Sequence, residues 1–98
     1  MHITESMAQI EFRETIRINA QNPYVRVSKQ NSEDLKNGWK RPMPVLVQIN
    51  GIPKKPWRIN IMPKGDGSFY LYLNSTIRKS LGKNVGDEVS VHLSFNDK

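Results

Sequence analysis

The side chains able to act on a ligand are few, and most of them share one pattern. Tyr24, Arg26, Arg58, Tyr70 and Tyr72 alternate with apolar residues in "YVRV", "WRIN" and "FYLYL". Alternation at period two puts them on the strand face opposite the apolar one. Neighbouring strands would then gather phenol rings and guanidinium groups into one exposed surface. Rings stack on bases and cations neutralise phosphates, which is how sheets hold single-stranded nucleic acid. Arg17 in "IRIN" and the pair Lys54-Lys55 extend the set. The competing account is a solvated sheet face, with tyrosine hydroxyls in water and arginines lying on the rings. The candidate nucleic-acid-binding residues are thus Arg17, Arg26, Lys54, Lys55, Arg58, Tyr70 and Tyr72, with Tyr24 beside them.

Other chemistries find little support. The chain has no cysteine, which excludes disulfides, thiolate metal sites and a cysteine nucleophile. Of its two histidines, His2 sits in a polar N-terminal stretch. His92 lies between Val91 and Leu93 on the polar parity of a strand and is expected to face solvent. No His-x-x-x-His, EF-hand or P-loop spacing occurs. "GDGS" at 65–68 lacks regularly spaced acidic ligands and no helix follows it closely, so it reads as a loop between strands. Asp66, Asp87 and Asp97 fall in turns or at the terminus, where aspartate bonds its own backbone. No carboxylate pair is placed for general acid–base work. The expectation is a non-catalytic binding module that needs no metal or cofactor.

Fifteen lysines and arginines against nine acids leave a net charge of +6 on 98 residues. That length supports one core, and the charge favours an acidic partner such as nucleic acid. The basic residues are scattered, however, apart from Lys40-Arg41, Lys54-Lys55 and Arg78-Lys79. An ordinary solvated surface therefore remains the alternative. No apolar run reaches the length of a membrane span, and the N-terminus lacks the order of a signal peptide. The reading is a cytoplasmic protein, monomeric or weakly dimeric, with no membrane partner. Residues 1–7 are expected to form a disordered tail and residues 8–98 a single domain.

The elements that must position these residues are mostly strands. Ile10, Phe12, Ile16 and Ile18 share one parity, with Glu14 marking a bend. Asn22-Pro23 is a turn signal, and Tyr24 to Val27 a short strand. Asn31 or Ser32 can cap a short helix with Glu33 and Asp34 in its first turn and Gly38 just past its end. Val45, Val47 and Ile49 alternate, and Asn50-Gly51 is a tight-turn pair. Trp57, Ile59 and Ile61, then Phe69, Leu71 and Leu73, mark two more strands. Asn74 or Ser75 caps a second helix that ends at Gly82, with Ile77 and Leu81 facing inward. Val89, Val91, Leu93 and Phe95 complete the last strand. All of these apolar residues from Phe12 to Leu93 are candidates for the core, and Trp39 and Trp57 for packing anchors.

The order strand, strand, helix, strand occurs twice. "IRIN" echoes "WRIN", "YVRV" echoes "YLYL", "NSEDLKNG" echoes "NSTIRKSLG", and "PVLVQIN" echoes "EVSVHLS". The echoes keep their order, which favours a pseudo-twofold barrel over an open sheet, since closure removes exposed edges. The expected fold is all-β: a small closed pseudo-twofold barrel of the double-split type with two short helices.

Residues 24–97 resemble a small bacterial and archaeal family classified only as a domain of unknown function. That domain often forms the N-terminal part of YdeI/OmpD-associated, bacteriocin-protection-like proteins. The residues carrying the likeness are "PVLVQINGIP", "WRINIMPKGDGSFYLYL" and "IRKSLGKNVGDEVSVHLSFND". The resemblance implies a closed small β-barrel and no particular reaction. "YLYLNSTIRKSLGKNVGDEVSVHL" is also similar to the swapped-hairpin motif of AbrB/MazE-type transcription factors and antitoxins, through Ile77, Arg78, Leu81, Gly82, Gly86 and Asp87. In those dimers two chains build one barrel and basic residues on strands and loops touch DNA. That likeness implies that this chain supplies both halves itself, with Arg17, Arg26, Arg58, Lys54 and Lys55 as the nearest candidates for DNA contact.

Overall fold

The computed structural model describes residues 8–96. Its elements run β1 (Gln9–Thr15), β2 (Arg17–Asn19), β3 (Asn22–Val27), α1 (Lys29–Leu35), β4 (Met43–Ile49), β5 (Ile52–Pro63), β6 (Phe69–Tyr72), α2 (Ser75–Leu81) and β7 (Glu88–Phe95). The strands make one seven-stranded antiparallel sheet in the order β1-β7-β4-β5-β6-β3-β2. Among the described residues no helix is long and apolar enough to cross a membrane.

The core follows from strict alternation. Met43, Val45, Val47 and Ile49 on β4, Val89, Val91 and Leu93 on β7, and Val25, Val27, Phe69 and Leu71 on β3 and β6 are all buried. Each such side chain removed from water contributes about 1.5–3 kcal/mol before entropy is counted. Ile77 of α2 and Leu35 of α1 are buried in the same cluster. Phe12, Trp39, Trp57, Ile59, Leu81 and Phe95 pack on its margin and are only partly covered.

The sheet curls because two of its strands each serve both arms. β5 pairs with β4 over most of its length and with β6 through Met62 and Pro63. The N-terminal strand does the same with a break: β1 pairs with β7, β2 pairs with β3, and only Ile16 lies between them. Ile16 leaves the ladder yet keeps both backbone groups bonded. Its amide donates to the Asp87 carbonyl at 2.8 Å, and its carbonyl accepts from the Gly86 amide at 2.8 Å. A buried corner with its polar groups satisfied can turn the chain without penalty. The expected bend at Glu14 is real and lies two residues further on.

The internal repeat is a property of the pairing. Exchange β1 and β2 with β5, β3 with β6, and β4 with β7. The β1–β7 ladder then becomes β5–β4, and β2–β3 becomes β5–β6. The β3–β6 and β4–β7 ladders map onto themselves, as the pairs Tyr24–Tyr72 with Arg26–Tyr70 and Val47–Leu93 with Ile49–Val91 require. Phe12 faces Val91 as Trp57 faces Val47, and Glu14 faces Val89 as Ile59 faces Val45. Ile16 therefore corresponds to Ile61, and both are buried. The "IRIN"–"WRIN" echo is displaced by four residues from this correspondence.

Several sequence expectations change. The strand order ends on β1 at one side and β2 at the other. The result is a curled half-barrel whose two edges are consecutive pieces of one bent strand. The first helix starts earlier than expected: its cap is Ser28, whose side chain accepts from the Asn31 amide at 3.0 Å. Ser32 is then interior and buried, its hydroxyl 2.9 Å from the carbonyls of both Lys29 and Gly67. The helix ends at Lys36 in extended conformation, so Gly38 is not its first residue beyond the cap. The second helix matches its cap and stop, with Asn74 accepting from the Ile77 amide and Gly82 left-handed at φ 64°. Ile18 is not core. It is 56% exposed, because past Ile16 its short strand carries it opposite Pro23 at the open end of the sheet.

The turn expected at Asn22-Pro23 lies at Ala20-Gln21, and Asn22 already pairs with Asn19. Ala20 and Gln21 both have positive φ, 50° and 70°. The Asn50-Gly51 turn has the same signs, 54° and 80°. Both are two-residue hairpins of the kind that favours Asn-Gly, but one is built from residues that resist the left-handed region. Replacing Ala20-Gln21 by Asn-Gly is expected to stabilise the protein by about 1 kcal/mol. Gly51→Ala is expected to cost about 1–2 kcal/mol. Urea midpoints with unchanged slopes check both.

Candidate nucleic-acid interface

The outer surface of one arm of the sheet carries the aromatic and basic residues in two cross-strand rows. Arg17 of β2 faces Tyr24 of β3, which faces Tyr72 of β6. Arg26 of β3 faces Tyr70 of β6, which faces Met62 of β5. Their inward-pointing neighbours Val25, Leu71, Val27 and Phe69 are buried. The period-two alternation therefore fixes which face the rings occupy.

The three rings form one cluster. Tyr70 and Tyr72 stack with centroids 5.2 Å apart and planes 21° apart. Tyr24 meets Tyr70 edge-on at 4.9 Å and Tyr72 at 6.0 Å. Edge and stacked contacts of this kind contribute beyond area burial. The Lys64 ammonium lies 5.8 Å from the centre of Tyr70. The Asn19 side-chain amide donates to the Tyr72 hydroxyl at 2.8 Å, which fixes that ring. Arg17 has a weak partner in Glu14 at 3.9 Å, an exposed pair that holds the guanidinium loosely.

Of the candidate residues, Arg17, Arg26, Tyr70 and Tyr72 come together with Tyr24. Lys54, Lys55 and Arg58 lie on the other arm, where β5 pairs with β4. There the register slips: Val47 and Ile49 of β4 face Trp57 and Ile52 of β5. The extra residues bulge outward and carry Lys54 and Lys55, both exposed. Arg58 faces Leu46, not a tyrosine. Sharing a parity was therefore insufficient, because β5 spans both arms. Sequence reasoning missed Lys64 and Asn19. "PKGDGS" reads as a bare loop, and only the pairing of Pro63 with Phe69 shows that its lysine returns over Tyr70. His92 faces outward as expected, its Nε2 2.9 Å from Gln9 Oε1.

A second aromatic group lies near α1. Trp39 meets Phe95 edge-on at 5.2 Å and donates its indole N–H to the Pro42 carbonyl. The Arg41 guanidinium lies 3.9 Å from the indole centre and Lys36 lies 5.6 Å from Phe95. Trp39 is thus the packing anchor expected, with its polar group already used. Every buried side-chain polar atom among the described residues has a partner, so no interior group calls for a ligand. Asp66 bonds back onto its own loop. The Ser68 hydroxyl and amide hold its carboxyl below the ordinary carboxylate range, and it stays charged at neutral pH.

An antiparallel half-barrel, aliphatic inside and bearing a tyrosine–arginine face outside, defines the class: a small all-β domain with a polar aromatic sheet surface. The chain belongs to the family described as a domain of unknown function (DUF1905), whose model matches residues 12–93. No curated protein matches it.

The tyrosine cluster should show coupling. A double-mutant cycle on Tyr24 and Tyr70, with alanine or leucine replacements, is expected to return an interaction of about 0.5–1.5 kcal/mol in urea unfolding. Additive single effects would mean that the edge contact contributes nothing beyond burial.

Proposed function

We propose that this chain is a non-catalytic binding module and that its ligand is single-stranded nucleic acid held on the tyrosine face. The observation that carries the reading is the pair of rows Arg17–Tyr24–Tyr72 and Arg26–Tyr70–Met62 on one outward surface. Rings offer stacking to any base, and Arg17, Arg26 and Lys64 offer charge to the phosphates between bases. The net charge of +6 supports the same partner. A DNA-duplex reading of the AbrB/MazE type draws on the repeated strand–helix–strand order. It would place contact at Arg58, Lys54 and Lys55 as well as on the tyrosine face.

Binding to an oligothymidylate is expected to weaken linearly with the logarithm of salt, by about 0.7 per phosphate contacted. Tyr72→Ala is expected to cost about 10- to 100-fold in affinity, the range for one stacked base. Tyr72→Phe should bind nearly as the wild type, because the ring is what stacks. Lys54→Gln with Lys55→Gln should leave single-strand affinity unchanged. Fluorescence anisotropy at two salt concentrations reads all four. Failure of the wild type to bind at low salt ends the proposal, and tighter binding to duplex than to single strand replaces it with the AbrB/MazE-type reading.

A further inference from the structure

The pseudo-twofold gives the molecule two equivalent grooves, one beside each helix, and they differ in charge. The groove of α1 is bordered by Lys29, Lys36 and Lys40, but also by Glu33 and Asp66. The groove of α2 is bordered by Arg78, Lys79 and Lys83, with no acid among its lining residues. The two helices start at equivalent caps, Ser28 and Asn74, so Glu33 of α1 stands where Lys79 stands in α2. The repeat has kept the shape and made one copy purely basic.

The α2 groove also continues toward the tyrosine face. It shares Pro23 and Arg78 with a second depression, whose border runs through Asn74 and Asn22 to Tyr72. The two measure about 360 and 500 Å³, each within the range of small-ligand sites. Arg78 is held in place, since its Nε donates to the Leu73 carbonyl at 3.0 Å. Among the described residues none of Arg78, Lys79 and Lys83 is paired with a carboxylate.

Resting on the nucleic-acid reading of the tyrosine face, we propose that the α2 groove is its phosphate track: a strand whose base stacks at Tyr72 runs on past Arg78 to Lys79 and Lys83. Tyr72 is the ring that borders the trough, while Tyr70 lies between Tyr72, Tyr24 and Lys64. A base therefore enters from the Tyr72 end and its 3′ or 5′ phosphates meet the cations in order. The competing role for these cations is to complement the helix dipole at the last turn of α2, which would affect stability and not binding.

Two probes separate the track from the face. Oligothymidylate carries bases and phosphates, whereas tripolyphosphate carries the charge alone. In amide-shift titrations of the full chain, both are expected to move residues 78–84, and only the oligonucleotide to move Tyr72 and its neighbours. Lys79→Gln with Lys83→Gln is expected to reduce the salt slope for oligothymidylate by up to about 1.4, at about 0.7 per lost phosphate contact. Asn74 and Arg78 are left intact so that the helix still folds. An unchanged slope in this variant overturns the track while leaving the tyrosine face in place. Tripolyphosphate that moves residues 78–84 in a protein that binds no oligonucleotide overturns the nucleic-acid reading and leaves an anion site at α2. Tripolyphosphate that moves nothing there, with an oligonucleotide confined to the tyrosine face, also overturns the track.

Discussion

The fold depends on the corner at Ile16. Two backbone hydrogen bonds to the turn at Gly86 and Asp87, each 2.8 Å, hold the one residue that belongs to neither arm. Thr15 already faces Glu88, the first residue of β7, so the two bonds hold the chain where it passes from β7 to β3. With them, one short stretch of chain covers an edge on each arm. An antiparallel sheet of this length exposes two rows of unpaired amides and carbonyls, which is a hazard for association. Here both rows belong to consecutive segments of the same strand, so one bend brings the two edges to the same side of the molecule. Burial of the Ile16 side chain ties that bend to the core.

The second half of the chain solves the same problem differently. β5 has no break and passes from β4 to β6 at Ile61, while its slip in register against β4 lies nearer its start, between Ile52 and Trp57. A bulge adds local twist and bends the strand that carries it. The extra residues must go outward, because the inward positions of β4 are filled by Val45, Val47 and Ile49. That is why Lys54 and Lys55 end up on a protrusion, away from the rings. Equivalent strands can thus reach equivalent pairings by unlike local means, and the surfaces they present need not match.

Much of this was legible in the sequence. Strict alternation over Val45 to Ile49 and Val89 to Leu93 named the buried face correctly, because a strand covered on one side leaves no other pattern. Asn74 and Gly82 bounded the second helix, since a side-chain acceptor and a left-handed stop are local requirements. The first helix was misplaced because three residues in a row, Asn31, Ser32 and Glu33, look like a start. The earlier Ser28 wins by capping while Ser32 bonds the Gly67 carbonyl on a loop far along the chain. Ile18 kept the parity of Ile16 on paper, but parity is reset at a corner. Leu35 and Met43 went unnoticed as core since each stands at the end of an element, where period carries little information.

The same distinction explains the candidate site. Which residues face outward is a local property and was readable: Tyr24, Arg26, Tyr70 and Tyr72 all do. Which of them meet is decided by strand order, and strand order places β3 beside β6 while sending most of β5 to the other arm. Arg58 was lost from the cluster by that rule and Lys64 was gained by it. The inside of the half-barrel is packed with aliphatic side chains, and its buried polar atoms are satisfied. Depressions lie instead on the outside, beside the helices. Among the described residues, the rings of β3 and β6 are held at strand spacing beside Arg17, Arg26 and Lys64. Rows at that spacing suit an extended chain better than a compact ligand, because each cross-strand step offers the next contact in line.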